Sequence, residues 1–267
     1  MMKTFISAIL LSLICLVNAY SQVDTLVDVG PYKLHFRILE GKEDFILFES
    51  GGGLDGSQWD SISTVLHSKL NATIITYDRQ GFGRSGLDST RFNILDEVKS
   101  LELGLERLGY ANKSKLLICH SLGAFYSRLY AFRNPNLVKG IIMLDPRIPS
   151  FADMKFARNV ALKLNRNTFT QEELGLYYVL AAMEKNSDFL RRKNIPPFIP
   201  VLNIMAEHGP FDNKEENDRF ESAQRNFINK RANARLVYAK GSSHNIPQDQ
   251  PEFVISEILN FYQHNQR

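Results

Sequence analysis

Cysteine is nearly missing from this chain: its 267 residues include only Cys15 and Cys119. Cys15 lies in an N-terminal apolar run, and removal of that run leaves Cys119 alone, so no internal disulfide can form even in an oxidising compartment. Stability must then come from core burial. Histidine is scarce as well. His35, His67, His120, His208, His244 and His264 include no i, i+4 pair and no flanking carboxylate cluster at ligand spacing, which argues against a metal site. A strong charge of either sign is also lacking, because the formal +3 falls to +2 without Lys3 and basic residues are scattered among acidic ones. That distribution argues against a nucleic-acid-binding face. There are no internal repeats or low-complexity segments, and the apolar run over residues 5–17 is shorter than the ~20 residues that a membrane span needs.

The first residues have a pattern of their own. Lys3 precedes the apolar run, and Val17-Asn18-Ala19 places small or modest side chains where signal peptidase cuts. Residues 1–19 therefore read as a secretory leader, with the mature chain starting near Tyr20. The expected destination is a periplasm or the extracellular space, with no stable membrane insertion once the leader is gone. Lipid modification of Cys15 is a minor alternative, since Ile14 stands where such sites usually require a small residue.

What is present is ample material for a core, 44% hydrophobic and 11% aromatic. Short β-rich segments come first, at residues 25–29, 32–39 and 45–49, separated by Gly30-Pro31 and a turn at Gly41. Apolar strands are then expected at 72–77, 116–119, 141–144, 201–205 and 236–239, with helical patterns at 58–70, 92–108, 122–133, 215–229 and 251–262. Such alternation predicts an α/β domain over 20–267, a mostly parallel sheet with helices on both faces. Residues 146–199 interrupt it. They show no strand but two helical patterns, 151–164 and 171–184, the second opened by Thr170 and Glu173 in a capping-box arrangement. This segment reads as a helical cap insertion over one sheet edge, closed by Ile195-Pro196-Pro197. Its aromatics (Phe151, Phe156, Phe169, Tyr177, Tyr178) are expected to pack it onto the body, some also lining a pocket. Arg191-Arg192-Lys193 reads as a solvated face.

Three segments point to chemistry. In Leu116-Leu117-Ile118-Cys119-His120-Ser121-Leu122-Gly123-Ala124 an apolar strand runs straight into a helix with serine at the turn. A serine held on so sharp a bend points its hydroxyl out of the sheet, and it needs small residues two positions either side, here Cys119 and Gly123. In Gly241-Ser242-Ser243-His244 a histidine follows the final strand, from where its imidazole can reach the serine and take its proton. His120, the nearest histidine in sequence, is read as packing, because a neighbour on a tight turn points away from Ser121. In Glu49-Ser50-Gly51-Gly52-Gly53-Leu54 a glycine run ends an apolar strand, so the N–H of Gly52, with that of Leu122 at the helix start, can hold a developing oxyanion.

Together with Trp59, Tyr77-Asp78-Arg79-Gln80-Gly81-Phe82-Gly83-Arg84-Ser85, Ile142-Met143-Leu144-Asp145-Pro146 and Pro251-Glu252-Phe253, these segments make the chain resemble an α/β-hydrolase over its whole mature length. The resemblance implies Ser121 as nucleophile, His244 as general base, a structural turn over residues 78–85, and no cofactor. Ser50 departs from the commoner family form, in which histidine often precedes the first glycine. The position where relatives most often carry the triad acid holds Gly209, within Met205-Ala206-Glu207-His208-Gly209-Pro210. Asp145 occupies the alternative family position, after the strand that follows the nucleophile helix, and is favoured over Glu207 and Asp212. A serine at 121 also sets the chain apart from relatives that need a carboxylate nucleophile. The expected activity is hydrolysis of a small, apolar, ester-like substrate. Another serine-dependent reaction (carbon–carbon hydrolysis, peptide-terminal cleavage or acyl transfer) and a non-catalytic binding module of the same fold remain as alternatives.

Overall fold

A computed structural model of the protein describes residues 22–265; the expected leader and Tyr20 lie outside them. The chain enters through β1 (Gln22–Asp28) and β2 (Lys33–Leu39), an antiparallel pair. Their turn uses Gly30 at φ 105°, a left-handed conformation that a Cβ would disfavour, with the Gly30 N–H held by Asp28 Oδ1 at 2.9 Å. There follow β3 (Phe45–Glu49), α1 (Asp60–Leu70), β4 (Thr73–Asp78), α2 (Ile94–Arg107), β5 (Lys115–His120), α3 (Gly123–Arg133) and β6 (Val138–Leu144). After two helices, α4 (Phe151–Ala161) and α5 (Leu174–Leu190), come β7 (Val201–Ala206), α6 (Lys214–Asn229), β8 (Ala234–Ala239), the short α7 (Ile246–Asp249) and α8 (Pro251–His264).

The strands form one sheet in the order β1-β2-β4-β3-β5-β6-β7-β8, in which β2 alone runs against the rest. Successive side chains of a strand point to opposite faces, so a central strand must be apolar throughout. In β5, Leu116 and Ile118 join Ile46, Phe48, Ile142 and Leu144 on the face covered by Ile62 and Leu66 of α1 and Val254 and Ile258 of α8. Leu117 and Cys119 join Leu47, Ile75, Ile141 and Met143 on the other face, under Val98 and Leu101 of α2, Phe125 and Leu129 of α3 and Ile228 of α6. Removing each such side chain from water contributes about 1.5–3 kcal/mol, and among the described residues the one cysteine, Cys119, is free. Three of the helices, α2, α4 and α6, start where a side chain satisfies one of their first N–H groups. Asn93 Oδ1 accepts from Asp96 N, Ser150 Oγ from Asp153 N and Asn213 Oδ1 from Glu216 N, at 3.0–3.1 Å.

Strand positions match the sequence expectations to within a few residues, and no strand falls between β6 and β7. The helices there differ in their limits. Thr170 N–H does donate to Glu173 Oε2 at 2.9 Å, but residues 171–173 form a turn, and α5 begins at Leu174 and continues to Leu190. The reason is a close approach: a Cβ on Gly175 would lie 2.2 Å from the carbonyl oxygen of Gly81, so the first turn of α5 is set down directly on the backbone of that loop. Phe169, Tyr177, Tyr178 and Phe92 make a chain of ring contacts at 5.2–5.5 Å that packs this segment onto the start of α2. Phe151 is instead exposed. The Asp153 carboxylate is buried and accepts from Arg147 Nε and Ser187 Oγ, both at 2.8 Å, which ties α4 and α5 to the end of β6. Among the described residues no helix is long and apolar enough to cross a membrane.

Candidate active site

Three non-glycine residues have positive φ among those described: Asn71, Ser121 and Asp145. Asn71 is the left-handed C-cap of α1, a routine place for it. The other two stand at the carboxyl ends of the neighbouring parallel strands β5 and β6, and both are strained for L-residues. Ser121, at φ 51°, turns β5 into α3. Its N–H donates to Leu144 O and its carbonyl accepts from Arg147 N, each at 3.0 Å, so the bend is fastened to β6. A Cβ on Gly123 would meet the carbonyl oxygens of Glu49 and Ser50 at 2.6 and 2.7 Å, so the glycine is needed for the helix to start this close to β3.

At these strand ends the chain closes a relay. His244 Nε2 lies 2.8 Å from Ser121 Oγ, and His244 Nδ1 lies 2.6 Å from Asp145 Oδ2. Asp145 is 1% exposed and at φ 39°. Its other oxygen accepts from Gln224 Nε2 at 2.7 Å and Ala206 N at 3.3 Å, so three N–H groups converge on one buried carboxylate. A carboxylate oxygen set against Nδ1 orients the ring, so that Nδ1–H faces Asp145 and Nε2 is turned to Ser121 Oγ. The other candidate acids are elsewhere: Glu207 is exposed and caps the turn at Gly241 N, and Asp212 is exposed on the way into α6.

Gly52 and Leu122 are adjacent across the site, a Cβ on Gly52 falling 3.4 Å from Leu122 Cδ2. Neither of their N–H groups is donated to another described backbone or side-chain group. Behind the glycine loop, the Arg79 guanidinium donates to the carbonyl oxygens of Ser50 and Gly51, both at 2.5 Å. Peptides here are trans, so a Gly51 carbonyl anchored on Arg79 turns the Gly52 N–H the opposite way, away from the guanidinium. The 78–85 turn therefore does more than shape the backbone. Its arginine, at 2% exposure, orients the loop that supplies the expected oxyanion donor.

Arg79 brings buried acids with it. Glu49 Oε2 lies 3.7 Å from the guanidinium and Glu49 Oε1 accepts from Tyr77, while Glu97 accepts from Tyr126 at 2.9 Å. Burial pushes the Glu97 carboxyl up to about 8, against the pull of Arg79, and Glu49 up to about 7. A carboxyl raised from 4.5 in this way holds its proton in the folded state after the unfolded chain has lost it. Its contribution to stability is complete below 4.5 and is lost as pH rises through about 8. Glu97→Gln is therefore expected to flatten the decline of Tm between about pH 5 and 9; Tm curves that stay parallel to wild type would remove this account.

His120 does more than pack. It is buried, as packing requires, but its Nε2 also donates to the backbone carbonyl of His244 at 2.8 Å, with the two rings 4.8 Å apart. Burial, reinforced by the neighbouring His244, pushes it down to about 3, so it is neutral. On the far side of His244, Phe220 meets the ring edge-on at 5.8 Å and is continued by Phe211 and Phe156, an aromatic wall drawn from α6, its entry loop and α4. A cleft of about 430 Å³ opens beside the glycine loop, bounded by Gly53, Asp55, Ser57, Asn245 and Gln248. The larger hollow of about 620 Å³ lies at the opposite strand ends, near Pro200 and Ala234, away from Ser121. Among the described residues no group of three or more His, Cys, Asp or Glu is placed to hold a metal ion.

Residues 46–257 match the model of the alpha/beta hydrolase family. The chain belongs to the alpha/beta hydrolase family. This hydrolase is 26% identical over 209 residues to the uncharacterized protein YqjL of Bacillus subtilis, a match covering 78% of the chain and 79% of YqjL. Over 103 residues, 37% of the chain, it is 36% identical to the (lyso)-N-acylphosphatidylethanolamine lipase of Bos taurus, 28% of whose length is covered. In fold it resembles a thermophilic esterase from Thermogutta terrifontis at TM-score 0.65 and 18% identity, over 92% of this chain and all of the esterase.

Four residues around the hydrolase's site escaped the sequence reading: Gln58, Arg79, His120 in its bonded role, and Gln224. Gln224 had left a trace, since Phe220, Gln224 and Ile228 recur at i, i+4 on the buried stripe of α6 and a glutamine there needs a partner. Gln58 and Arg79 had left none, because their partners are 7–62 and 28–29 residues away in sequence.

Proposed function

We propose that the protein is an exported serine hydrolase that cleaves an ester-type bond through an acyl-enzyme intermediate. The observation that carries this is the continuous Asp145–His244–Ser121 relay at 2.6 and 2.8 Å. In this reading His244 Nε2 takes the Ser121 hydroxyl proton as Oγ attacks the substrate carbonyl. The resulting oxyanion accepts from the N–H groups of Gly52 and Leu122, each donor contributing about 3 kcal/mol to the lowering of the barrier. His244 returns the proton to the leaving alkoxide, and the carbonyl re-forms on Ser121. A water then loses its proton to the same nitrogen as it attacks the acyl group, the bond to Ser121 Oγ breaks, and His244 returns the proton to Oγ as the acid leaves. No cofactor takes part. The names of the bovine lipase and the Thermogutta esterase support ester substrates, and the aromatic wall at Phe220 supports a small molecule with an apolar portion. Export rests on the leader pattern of residues 1–19.

The test is a panel of activated esters with graded acyl chains, combined with a fluorophosphonate probe. Turnover far beyond one equivalent, with a single adduct mapped to Ser121, is the expected result. Release that stops at one equivalent would replace hydrolysis with acyl transfer or binding.

A further inference from the structure

Between the glycine loop and the histidine loop runs a chain of hydrogen bonds whose direction is fixed at both ends. It starts at Gly51 N–H, which can only donate, and this N–H meets Gln58 Oε1 at 2.8 Å. It ends at His244 C=O, which can only accept, and this oxygen meets His120 Nε2 at 2.8 Å. The link between them is Gln58 Nε2 to His120 Nδ1, at 2.7 Å. One arrangement satisfies every contact: the amide presents oxygen to Gly51 and nitrogen to His120, and the imidazole carries its proton on Nε2 alone. Flipping the amide would set two donors against each other at Gly51; protonating His120 would do so at Gln58. Gln58 and His120 are 9% and 1% exposed, so solvent cannot substitute for a lost partner cheaply. With Arg79 on the Gly51 carbonyl, both polar groups of Gly51 are taken.

We infer that Gln58 and His120 act as paired positioning residues, locking the Ser50–Gly51 peptide, one peptide before the Gly52 N–H, to the loop that carries His244 so that oxyanion donor and general base are set in register. The inference rests on the serine-hydrolase reading. Neither residue touches the reacting atoms. Their contribution is to the alignment of Gly52 N–H with the point where negative charge appears, and it is realised mainly in the transition state.

The experiment compares Gln58→Leu, Gln58→Glu, His120→Ala and the Gln58→Leu/His120→Ala double variant, using an activated ester and a boronic acid. The boronate adds to the serine as a tetrahedral anion and so reports the oxyanion donors without turnover. Gln58→Leu is expected to lower kcat roughly 10- to 100-fold and to weaken boronate inhibition by a similar factor, with KM nearly unchanged. The double variant should be no worse than the more impaired single one. Gln58→Glu, which is isosteric and keeps an acceptor for Gly51 N–H but offers His120 an acceptor in place of a donor, should also fall at least tenfold and covers the case in which the leucine variant does not fold. Wild-type kcat and boronate affinity in a folded Gln58 variant, or independent multiplying losses in the double variant, would overturn the inference. Turnover and boronate inhibition that persist in Ser121→Ala would instead overturn the serine-hydrolase reading, whatever Gln58 does.

Discussion

Ser121→Ala is expected to lower kcat by ~10⁶-fold and to abolish fluorophosphonate labelling. The size follows from the lack of a substitute. Ser85 Oγ donates to Asp78 O and is committed to the 78–85 turn, while Ser243 Oγ accepts from Asn245 N within the histidine loop. Neither shares a hydrogen bond with a described imidazole. What remains after the change is the capacity of the site to bind substrate and to stabilise an oxyanion against attack by free water, typically worth 10³–10⁴ over solution. Alanine keeps the Cβ already accommodated at φ 51° and loses the bond to His244, so folding should change little. Steady-state kinetics on one activated ester, peptide mapping of the adduct and a melting curve together form the check. Labelling that survives on Ser85 or Ser243 would move the nucleophile.

Asp145→Asn should lower kcat by ~10⁴-fold with a smaller effect on KM. The carboxylate receives three N–H groups, from His244, Gln224 and Ala206. A carboxamide brings one oxygen and an NH₂ to the same place. If its oxygen serves Gln224 and Ala206, its nitrogen faces His244 Nδ1 and selects the tautomer that is protonated on Nε2, which cannot take the serine proton. If its oxygen serves His244, its nitrogen meets the Gln224 amide and no negative charge remains to stabilise the imidazolium. Glu207→Gln and Asp212→Asn should leave most activity intact. Near-wild-type turnover in Asp145→Asn with collapse in either of the others would transfer the role to that acid.

The parts of the fold and site that were legible in the sequence are those encoded by local pattern. Strands β5 and β6 announce themselves as unbroken apolar runs because both of their faces are buried. Ser121 is marked by its place between such a run and a helix, and Gly123 by a steric demand that only glycine meets. Asp145 could be proposed because the resemblance to the α/β-hydrolases offers a second position for the acid, after the strand that follows the nucleophile helix, and an aspartate stands there. The parts that were not legible depend on meetings across the sheet. Arg79 reads as one charge among several in a turn, and its function appears only when β4 is placed beside β3 and the guanidinium reaches the Ser50 and Gly51 carbonyls. His120 likewise gains its role from a carbonyl 124 positions away. The start of α5 was misjudged for the same reason, since local capping favoured Thr170 while the contact with Gly81 sets the helix down at Leu174.

Cys119 lies at 0% exposure on β5, two residues before Ser121, with burial holding its thiol well above the usual range. Alkylating reagents require an accessible thiolate, so in a chain lacking residues 1–19 they can react only during excursions in which β5 parts from its neighbours or loses the cover of α2 and α3. Those same excursions would take the bend at Ser121 apart. The alkylation rate is thus a clock for how often the Asp145–His244–Ser121 geometry dissolves and re-forms, and it runs in the unmodified protein with no label added beforehand.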